Sequence, residues 1–433
     1  PASTVTVTKT EPVTKTVTKT SAIATTSPTT KTVIKPPGPV TLKFWHTYSI
    51  AEIEVLTKQV KRYMQENPDV TIELTNIPFE QRATMIIDAI KGGAPPDLYR
   101  GDMPMQFEVA RLGAAYFLDD FLKTYDPQLL EDVPENIWTM CKYKGKIIAI
   151  PEDFFVPVIY YNKDLFAKYG VEEFPKNWDE FLEAVTKLHH PEEGVYGIEW
   201  QSWGGGIYWS ISSFFMSNGG GILEDGRKVI VDCEENVETC EFLKELYKYT
   251  PPGMFTYGYD DWDKAFYLGR VAIQLGNGSW SIGNYKKLAP NLNYGIAAYP
   301  PPTGKELVVN GEGVCWYMVI NKTKYPELSA SIIDWLVNPE NHLEWCKELY
   351  HTPVRKSTWE DPFFDDPKFE AFRDEIPRAR PQFYGDIATL YTPIVIEGFD
   401  KKIIDILEEK VSIRDGLAEL AGKIENIIEE FGL

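Results

Sequence analysis

The feature that most constrains the fold is a strand–helix–strand pattern that begins at Val40. The segment "VTLKFW" alternates with period two, and "IAEIEVLTKQVKRYM" carries its apolar residues at helical spacing. "NPD" at 67–69 ends the helix, and "VTIEL" alternates again as a second strand. This pattern predicts a βαβ unit, and therefore a parallel sheet with right-handed crossovers.

The same rhythm continues along most of the chain. It predicts a helix over 79–91, strands at "DLYRG" and "KIIAIP", and helices at "NWDEFLEAVTKL", 234–249 and 325–337. The tail over 385–431 is predicted to be almost wholly helical, with an apolar face made of Ile413, Leu417, Leu420, Ile424, Ile427 and Phe431. The fold class is therefore α/β with a helical C-terminal tail, and 433 residues allow two or more domains.

Residues 1–38 differ from the rest of the chain because they are mostly Thr, Val, Lys and Pro. Burying so few large apolar groups would not offset the conformational entropy lost when the segment is ordered. We therefore predict an extended, flexible stalk. The alternative is a strand that pairs with the body. A Thr- and Pro-rich stalk offers hydroxyls for O-glycosylation outside the cytoplasm, which favours a surface tether.

The charge balance excludes polyanionic partners. The chain has 44 basic and 64 acidic residues and a formal charge of −20, so its field repels nucleic acid and anionic membranes. No apolar run approaches the roughly 18–20 residues that span a bilayer. The first residues also lack a cleavage signature, so we expect that an export signal or anchor has been removed or never existed.

Sequence motifs indicate neither a metal site, nor a cofactor, nor catalysis. The five cysteines include no CxxC pair; a Cys233–Cys240 disulfide is compatible with an oxidising compartment, but buried or free thiols are favoured. "WGGGIYWS" and "SNGGGILEDG" lack the spacing and the Lys-Ser/Thr of a phosphate loop, and HExxH and GxSxG are absent.

Aromatic residues give the strongest compositional signal. The 12 Trp and 24 Tyr cluster in Gly- and Asn-containing loops such as "WQSWGGGIYW", "GNGSWSIGNY" and "GEGVCWY". Planar rings suit the apolar face of a pyranose, and binding sites combine such surfaces with a few polar groups. The alternative is that these rings only cover a hydrophobic core.

One acidic pair has a second interpretation. Glu152 and Asp153, in "AIPEDFF", could be the two carboxylates of a glycoside hydrolase. A charged turn between strands explains them at least as well.

The order of these segments resembles the family 1 extracellular solute-binding proteins, the carbohydrate-binding receptors of ABC importers. The resemblance covers Val40 to the C-terminus, and the stalk fits the anchor-proximal linker of archaeal-type relatives. It is carried by "LKFWHTYSIAEIEVL", "AIKGGAPPDLYRGD", "IPEDFFVPVIYYNKDLFAKYG", "NWDEFLEAVTKL", "MSNGGGILEDG", "AFYLGRVAIQLGNGSW" and "LSASIIDWLVNPEN".

This resemblance implies a type II periplasmic-binding fold, with two α/β lobes that close on a ligand. It implies crossings between the lobes near 153–156, 272–277 and 320–325. The N-terminal lobe would then consist of 39–153 and 277–321, and the C-terminal lobe of 154–276 and 322–433.

The resemblance also implies ligand-binding residues. Asp102 matches an acid that bonds sugar hydroxyls, Arg82 and Glu52 fall near other polar contacts, and Trp280 matches a recurrent stacking tryptophan. Further candidates are Trp209, at a helix start, together with Trp203, Trp316 and Tyr384. Where relatives carry an acid at the first crossing this chain has Phe155, which leaves Asp153 or Glu152 as substitutes.

The implied function is a monomeric, membrane-tethered, extracytoplasmic receptor that binds a small carbohydrate and delivers it to a membrane-embedded ABC permease. Two alternatives stay open: a secreted carbohydrate hydrolase, and a receptor for another solute such as a peptide or polyamine. The acidic charge permits a polyamine, whereas the Trp-rich loops favour a neutral ring.

Overall fold

The computed structural model describes residues 34–78 and 81–433. Residues 1–33 lie outside the described residues, so most of the predicted stalk, residues 1–38, falls there. The predicted βαβ unit is confirmed: strand Val40–His46, helix Ile50–Glu66 and strand Val70–Asn76 follow one another, and the two strands pair in parallel.

The first of two larger sheets contains this unit. In spatial order its strands are Val70–Asn76, Val40–His46, Leu98–Asp102, Gly313–Val319 and Ile150–Phe155. The strand Gly313–Val319 runs antiparallel to both of its neighbours. The sheet and the helices that pack with it form the first lobe; these helices are Ile50–Glu66, Arg82–Lys91, Met105–Arg111, Asp119–Tyr125, Pro127–Asp132, Glu135–Thr139, Pro326–Leu336 and Pro339–Leu349.

The second sheet forms the core of the second lobe. Its strands, in spatial order, are Tyr294–Ala297, Val158–Asn162, Val271–Asn277 and Tyr196–Glu199. The last two are parallel, as a crossover predicts. The helices of this lobe are Lys163–Lys168, Trp178–Lys187, Gly206–Ser217, Glu234–Tyr247, Tyr259–Tyr267, Trp280–Leu288, Glu370–Glu375, Lys401–Leu407 and Ile413–Phe431.

Short elements connect these layers. Three two-stranded ladders pair Lys142–Tyr143 with Lys146–Ile147, Leu223–Glu224 with Lys228–Val229, and Val309–Asn310 with Ala379–Arg380. The 3₁₀ turns are Pro191–Glu193, Met254–Thr256, Thr358–Glu360, Pro362–Asp365, Pro367–Phe369, Ile376–Arg378 and Ile387–Leu390, and Thr392–Asp400 is a π-helix.

The first passage between the lobes lies at 156–157, because Ile150–Phe155 ends in the first sheet and Val158–Asn162 begins the second. The other two predicted crossings are wrong. Residues 272–277 lie in a strand of the second sheet, and Tyr294–Ala297 joins the same sheet, so the chain returns to the first lobe only after Val309–Asn310. Pairing of the strands, which single segments do not reveal, decides this boundary.

The third predicted crossing, at 320–325, follows directly on a strand that stays in the first lobe. Pro326–Leu336 packs on the strand Gly313–Val319, and Pro339–Leu349 packs on the first helix of the same lobe. The passage comes after the turn Thr358–Glu360, because Glu370–Glu375 already packs on the second sheet. The resemblance therefore placed residues 322–360 in the C-terminal lobe, whereas they belong to the first lobe.

The C-terminal tail is helical, as predicted, although its first part is a 3₁₀ turn and a π-helix. Leu417, Leu420 and Ile424 are buried on the predicted face, whereas Phe431 is 54% exposed. The five cysteines are free thiols, so Cys233 and Cys240 form no disulfide. Within the described part of the chain, every helix is too short or too polar to cross a membrane.

Candidate ligand-binding cleft

The carboxyl ends of several strands meet between the two lobes. In the first sheet, Asp102 and Phe155 end parallel strands on either side of the strand that starts at Gly313. In the second sheet, the parallel strands end at Glu199 and Asn277. Ligands of open α/β folds bind in the crevice outside the carboxyl ends of the strands, so the loops that follow these residues line the candidate cleft.

Three rings, here called the aromatic wall, lie at this edge: Phe155, Trp209 and Trp280. The centroids of the Phe155 and Trp280 rings are 5.1 Å apart, edge to face. The Trp209 indole N–H donates to the Gly276 carbonyl at 2.9 Å, which fixes the ring against the second sheet. Trp209 and Trp280 stay partly exposed, whereas Trp200, Trp262, Trp316 and Trp345 are fully buried.

A glycine at the start of a first-sheet strand makes room for this wall. A Cβ atom at Gly313 would lie 2.7 Å from Cη2 of Trp209 and 2.2 Å from the Phe155 carbonyl oxygen. Trp209 belongs to the second lobe and Gly313 to the first, so the ring reaches across the cleft. Only glycine allows this approach.

Polar groups of the first lobe face the same cleft. Arg82 donates from Nε and Nη2 to the two carboxylate oxygens of Asp102, at 2.9 and 3.2 Å, and both side chains remain about one-fifth exposed. Glu52 accepts from the backbone N–H of Ser49 at 2.7 Å, and its other oxygen lies 3.9 Å from Arg100. The sequence-predicted Asp102, Arg82 and Glu52 are thus brought to one edge of the first sheet.

Tyr391, which sequence reasoning missed, lies in the second lobe beside the loop that precedes Trp209. Burial raises the pKa of its hydroxyl, and the first-lobe charges of Asp102 and Arg82 act on it as well. A Cβ atom at Gly205 would lie 3.4 Å from this hydroxyl, so Tyr391 also borders the loop before Trp209. Tyr391 immediately precedes the π-helix, and no local sequence signal identifies it.

The glycines of "WQSWGGGIYW" shape the start of the helix Gly206–Ser217. Gly204 and Gly205 have φ values of +47° and +93°, which side-chain-bearing residues rarely adopt. The first amides of the helix point at a buried carboxylate: Asp400 accepts from the N–H of Tyr208 at 2.9 Å, and from those of Gly205 and Ile207. Burial raises the pKa of Asp400 to about 7, against the effect of these donors. This helix start is already occupied and leaves no cradle for phosphate.

Trp316 does not lie in the cleft, which corrects one prediction. Its side chain is fully buried, packs edge to face on Tyr99 with centroids 5.6 Å apart, and covers Gly101 on the adjacent strand. The strand "GVCWYMV" is apolar almost throughout, a pattern typical of a strand buried on both faces.

Glu152 and Asp153 also do not face the cleft. Glu152 accepts hydrogen bonds from the hydroxyls of Tyr48 and Tyr317 and from Nε of Arg100 at 2.8 Å, and burial raises its pKa. Neither carboxylate is more than 2% exposed. Neither can replace the acid that relatives carry at the first crossing, and neither can reach a glycosidic bond.

Asp153 points into the first lobe. It accepts from Nε1 of Trp345 and from Nδ1 of His351, at 3.1 and 3.0 Å. Burial opposes its ionisation, but the His351 ring holds the pKa of Asp153 below its usual value.

The two remaining candidates, Trp203 and Tyr384, lie in the second lobe and pack on residues outside the aromatic wall. The ring of Trp203 packs edge to face on Trp262 and Tyr259, at 5.6 and 5.8 Å. Tyr384 packs on Gly226, in the turn of the ladder Leu223–Val229.

Glu312 lies at the second passage between the lobes, and its environment predicts that the stability of the folded state depends on pH. Its Oε1 accepts from the N–H groups of Gln382 and Phe383 and from the Tyr208 hydroxyl, and burial raises its pKa from 4.5 to about 7. The folded state therefore holds a proton that the unfolded chain releases above about pH 4.5. The resulting stabilisation is full below that pH and is lost as the pH passes about 7.

We expect Glu312→Gln to remove this dependence, because the amide cannot titrate. Between about pH 4.5 and about pH 7, the wild-type melting temperature should fall relative to that of the variant, by the equivalent of about 3 kcal/mol in unfolding free energy. Thermal melts of both proteins across this range measure the difference. Parallel curves would contradict the assignment.

The fold and the cleft define a two-lobed α/β protein with a candidate binding cleft between the lobes. The sequence profile of the bacterial extracellular solute-binding proteins matches residues 49–342, more than half of the chain. The chain therefore belongs to the bacterial extracellular solute-binding protein family, and the family predicted by resemblance is confirmed.

Curated relatives extend this match. The chain is 28% identical over 347 residues to a maltotriose-binding protein of Pyrococcus abyssi, a match that covers 77% of this chain and 71% of the relative. It is 25% identical over 342 residues to the sn-glycerol-3-phosphate-binding periplasmic protein UgpB of Escherichia coli K12, covering 74% and 75% of the two chains.

Solved structures confirm the type II periplasmic-binding fold. A solute-binding protein of Thermotoga lettingae, bound with α-D-tagatose, superposes with a TM-score of 0.79 at 21% identity, covering 90% of this chain and 99% of the other. The maltose-bound MalE3 of T. maritima gives 0.78 at 23% identity, covering 89% and 99%.

Proposed function

We propose that this protein is an extracytoplasmic receptor that binds a neutral sugar and delivers it to the membrane permease of an ABC importer. The observation that carries the proposal is the pair of partly exposed rings, Trp209 and Trp280, at the carboxyl edges of both sheets. They face a first-lobe edge that carries Asp102, Arg82 and Glu52. One relative named for maltotriose and neighbours bound to maltose or tagatose support a sugar ligand.

The proposed roles follow from the chemistry of each group. Trp280 and Trp209 stack on the apolar face of a sugar ring, while Asp102 and Glu52 accept hydrogen bonds from its hydroxyls. Arg82 orients Asp102 and donates from its guanidinium. We add Tyr391 as a second-lobe partner, because it borders the loop before Trp209 and its hydroxyl is subject to the charges of Asp102 and Arg82.

Binding energy of this kind suffices for a transport receptor. Hydrogen bonds of about 1 kcal/mol each, together with the buried face of a sugar, reach the roughly −8 kcal/mol of micromolar affinity. Hinge closure is the familiar motion of periplasmic binding proteins, and closing the lobes excludes water from these bonds. The closed, liganded form is then the one that a permease recognises.

A phosphate ligand fits the cleft less well, although several relatives from enteric bacteria are named for sn-glycerol-3-phosphate. Arg82 is paired with Asp102, and Arg100 with Glu152. The helix start at Gly205–Tyr208 is capped by Asp400. Binding a phosphate would require one of these pairs to break, whereas binding a neutral sugar would leave them intact.

We propose that the receptor catalyses no reaction, as the kind of family supports; the acidic pair that suggested a hydrolase, Glu152 and Asp153, is buried away from the cleft. We propose that it acts as a monomer and that residues 1–38 tether it outside the cytoplasmic membrane.

Isothermal titration calorimetry against mono- and oligosaccharides, with sn-glycerol 3-phosphate as a separate arm, tests the proposal. We expect at least one saccharide to bind with a micromolar or lower Kd, and no release of reducing ends after prolonged incubation. If sn-glycerol 3-phosphate binds and none of the saccharides does, the proposed ligand is wrong and the receptor binds a phosphate ester. Turnover of an oligosaccharide would favour the hydrolase.

A further inference from the structure

A cluster of metal-ligating side chains lies outside the cleft, inside the first lobe. Asp153 comes from the strand before the first passage, and His342 and Cys346 come from the helix Pro339–Leu349. One ligand atom of each lies within 4.8 Å of the other two. All three side chains are essentially inaccessible to solvent, with exposures of 0–1%.

The distances suit a tetrahedral site for a borderline-soft cation. Sγ of Cys346 lies 3.6 Å from Nε2 of His342, close to the spacing of a sulfur and a nitrogen bound to one Zn²⁺ at about 2.3 and 2.0 Å. The backbone carbonyl oxygen of Glu152 lies 3.0 Å from the same nitrogen and can serve as the fourth donor. His342 and Cys346 are four residues apart, which places both on one face of the helix.

We propose that Asp153, His342 and Cys346 bind one divalent cation of the Zn²⁺ type. Thiolate, imidazole and carboxylate together select zinc over the hard cations Mg²⁺ and Ca²⁺. One thiolate and one carboxylate offset the charge of the divalent ion, and His351, whose Nδ1 lies 3.0 Å from Asp153, is then neutral and donates its Nδ1–H to that carboxylate.

Neighbouring groups already orient the ligands. Thr358 Oγ1 lies 3.1 Å from Nδ1 of His342. When Nε2 binds the cation, its proton moves to Nδ1 and is donated to this hydroxyl, a common support for a metal-bound histidine. The carboxylate of Asp153 is held by Trp345 and His351. Cys346 binds as thiolate, so its thiol proton is released to solvent.

The site would join parts of the chain that meet at the hinge. Asp153 lies three residues before the passage at 156–157, and its backbone forms a bridge with that of Pro353. A cation there would fasten this strand to the helix Pro339–Leu349, and so fix the base on which the second lobe moves. The role is structural and independent of the ligand in the cleft.

Cobalt spectroscopy on the full chain tests the proposal. The unfolded protein is refolded with reduced thiols in the presence of Co²⁺ or Zn²⁺ and freed of unbound metal, because the site is closed to solvent in the folded state. We expect one equivalent of metal per chain, a thiolate-to-cobalt charge-transfer band, and a higher melting temperature with Zn²⁺. A protein that refolds without this band overturns the proposal, whatever the variants show.

Variants then locate the site. We expect Cys346→Ser and His342→Gln to lose the band, while Cys141→Ser and Cys240→Ser, which change other buried thiols, keep it. His190→Ala serves as a control for the exposed group of His190, Glu192 and Glu193, which contains no thiol. Loss of the band in Cys141→Ser or Cys240→Ser, with retention in Cys346→Ser, would place the metal elsewhere and contradict the assignment.

Discussion

Trp280→Ala is expected to weaken sugar binding by more than about tenfold, or at least 1.4 kcal/mol, with little change in melting temperature. The indole is partly exposed and contacts Phe155 by its edge, so the substitution removes ring surface from the cleft without opening a cavity in the core. Calorimetric titration with the best-binding saccharide of the panel measures the loss.

Trp335→Ala is the matched control. This tryptophan is also partly exposed, but it packs on Tyr63 and donates to Glu66 on the first helix of the first lobe, outside the cleft. We expect it to lower the melting temperature and to leave the affinity unchanged. Equal affinities of wild type and Trp280→Ala would remove Trp280 from the site.

Asp400→Ala is expected to cost about 3 kcal/mol of unfolding free energy and to weaken sugar binding as well. The substitution leaves the amides of Gly205, Ile207 and Tyr208 without their acceptor, and each buried unpaired donor costs about 1–3 kcal/mol. Trp209 follows directly in the same helix turn, so its ring loses its fixed position. Denaturant unfolding and calorimetry measure the two effects.

Two variants separate the capping role from a general effect of charge. Asp400→Asn keeps a carbonyl oxygen that can accept the same bonds, so most of the stability should return. Asp405→Ala removes a partly exposed carboxylate that pairs only loosely with Lys410, at 3.4 Å, and should change stability by less than about 0.5 kcal/mol. If Asp400→Ala is no less stable than Asp405→Ala, the cap is not what holds the loop.

Local patterns predicted the elements well. The period-two segments at Val40 and Val70 and the capped helix Trp178–Lys187 form where their sequences indicate, because short-range propensity and one buried face decide them. Asn177 accepts from the N–H of Glu180 at 3.0 Å, as its position before the helix predicts. The resemblance also nominated Asp102, Arg82 and Glu52, and the fold places these three residues at one edge of the first sheet.

Residues that act over long separations escaped prediction. Asp400 caps a helix that starts 194 residues earlier in the chain, and the charges of Asp102 and Arg82 in the other lobe act on Tyr391. Glu152 and Asp153 looked like surface acids, but their partners Arg100 and His351 come from other elements and allow burial. Nothing in the local sequence of these residues carries that information.

The amino-acid sequence by itself determined the α/β class, the family and the aromatic loops, since these depend on periodicity and on motifs within single segments. Only the tertiary structure decided which lobe each segment joins, which tryptophans stay exposed, and what the glycines of "WQSWGGGIYW" do. The reason is physical: strand pairing and burial depend on residues that are distant in sequence. Gly204 and Gly205 turn the chain onto a buried aspartate, and this contact holds Trp209 at the edge of the cleft.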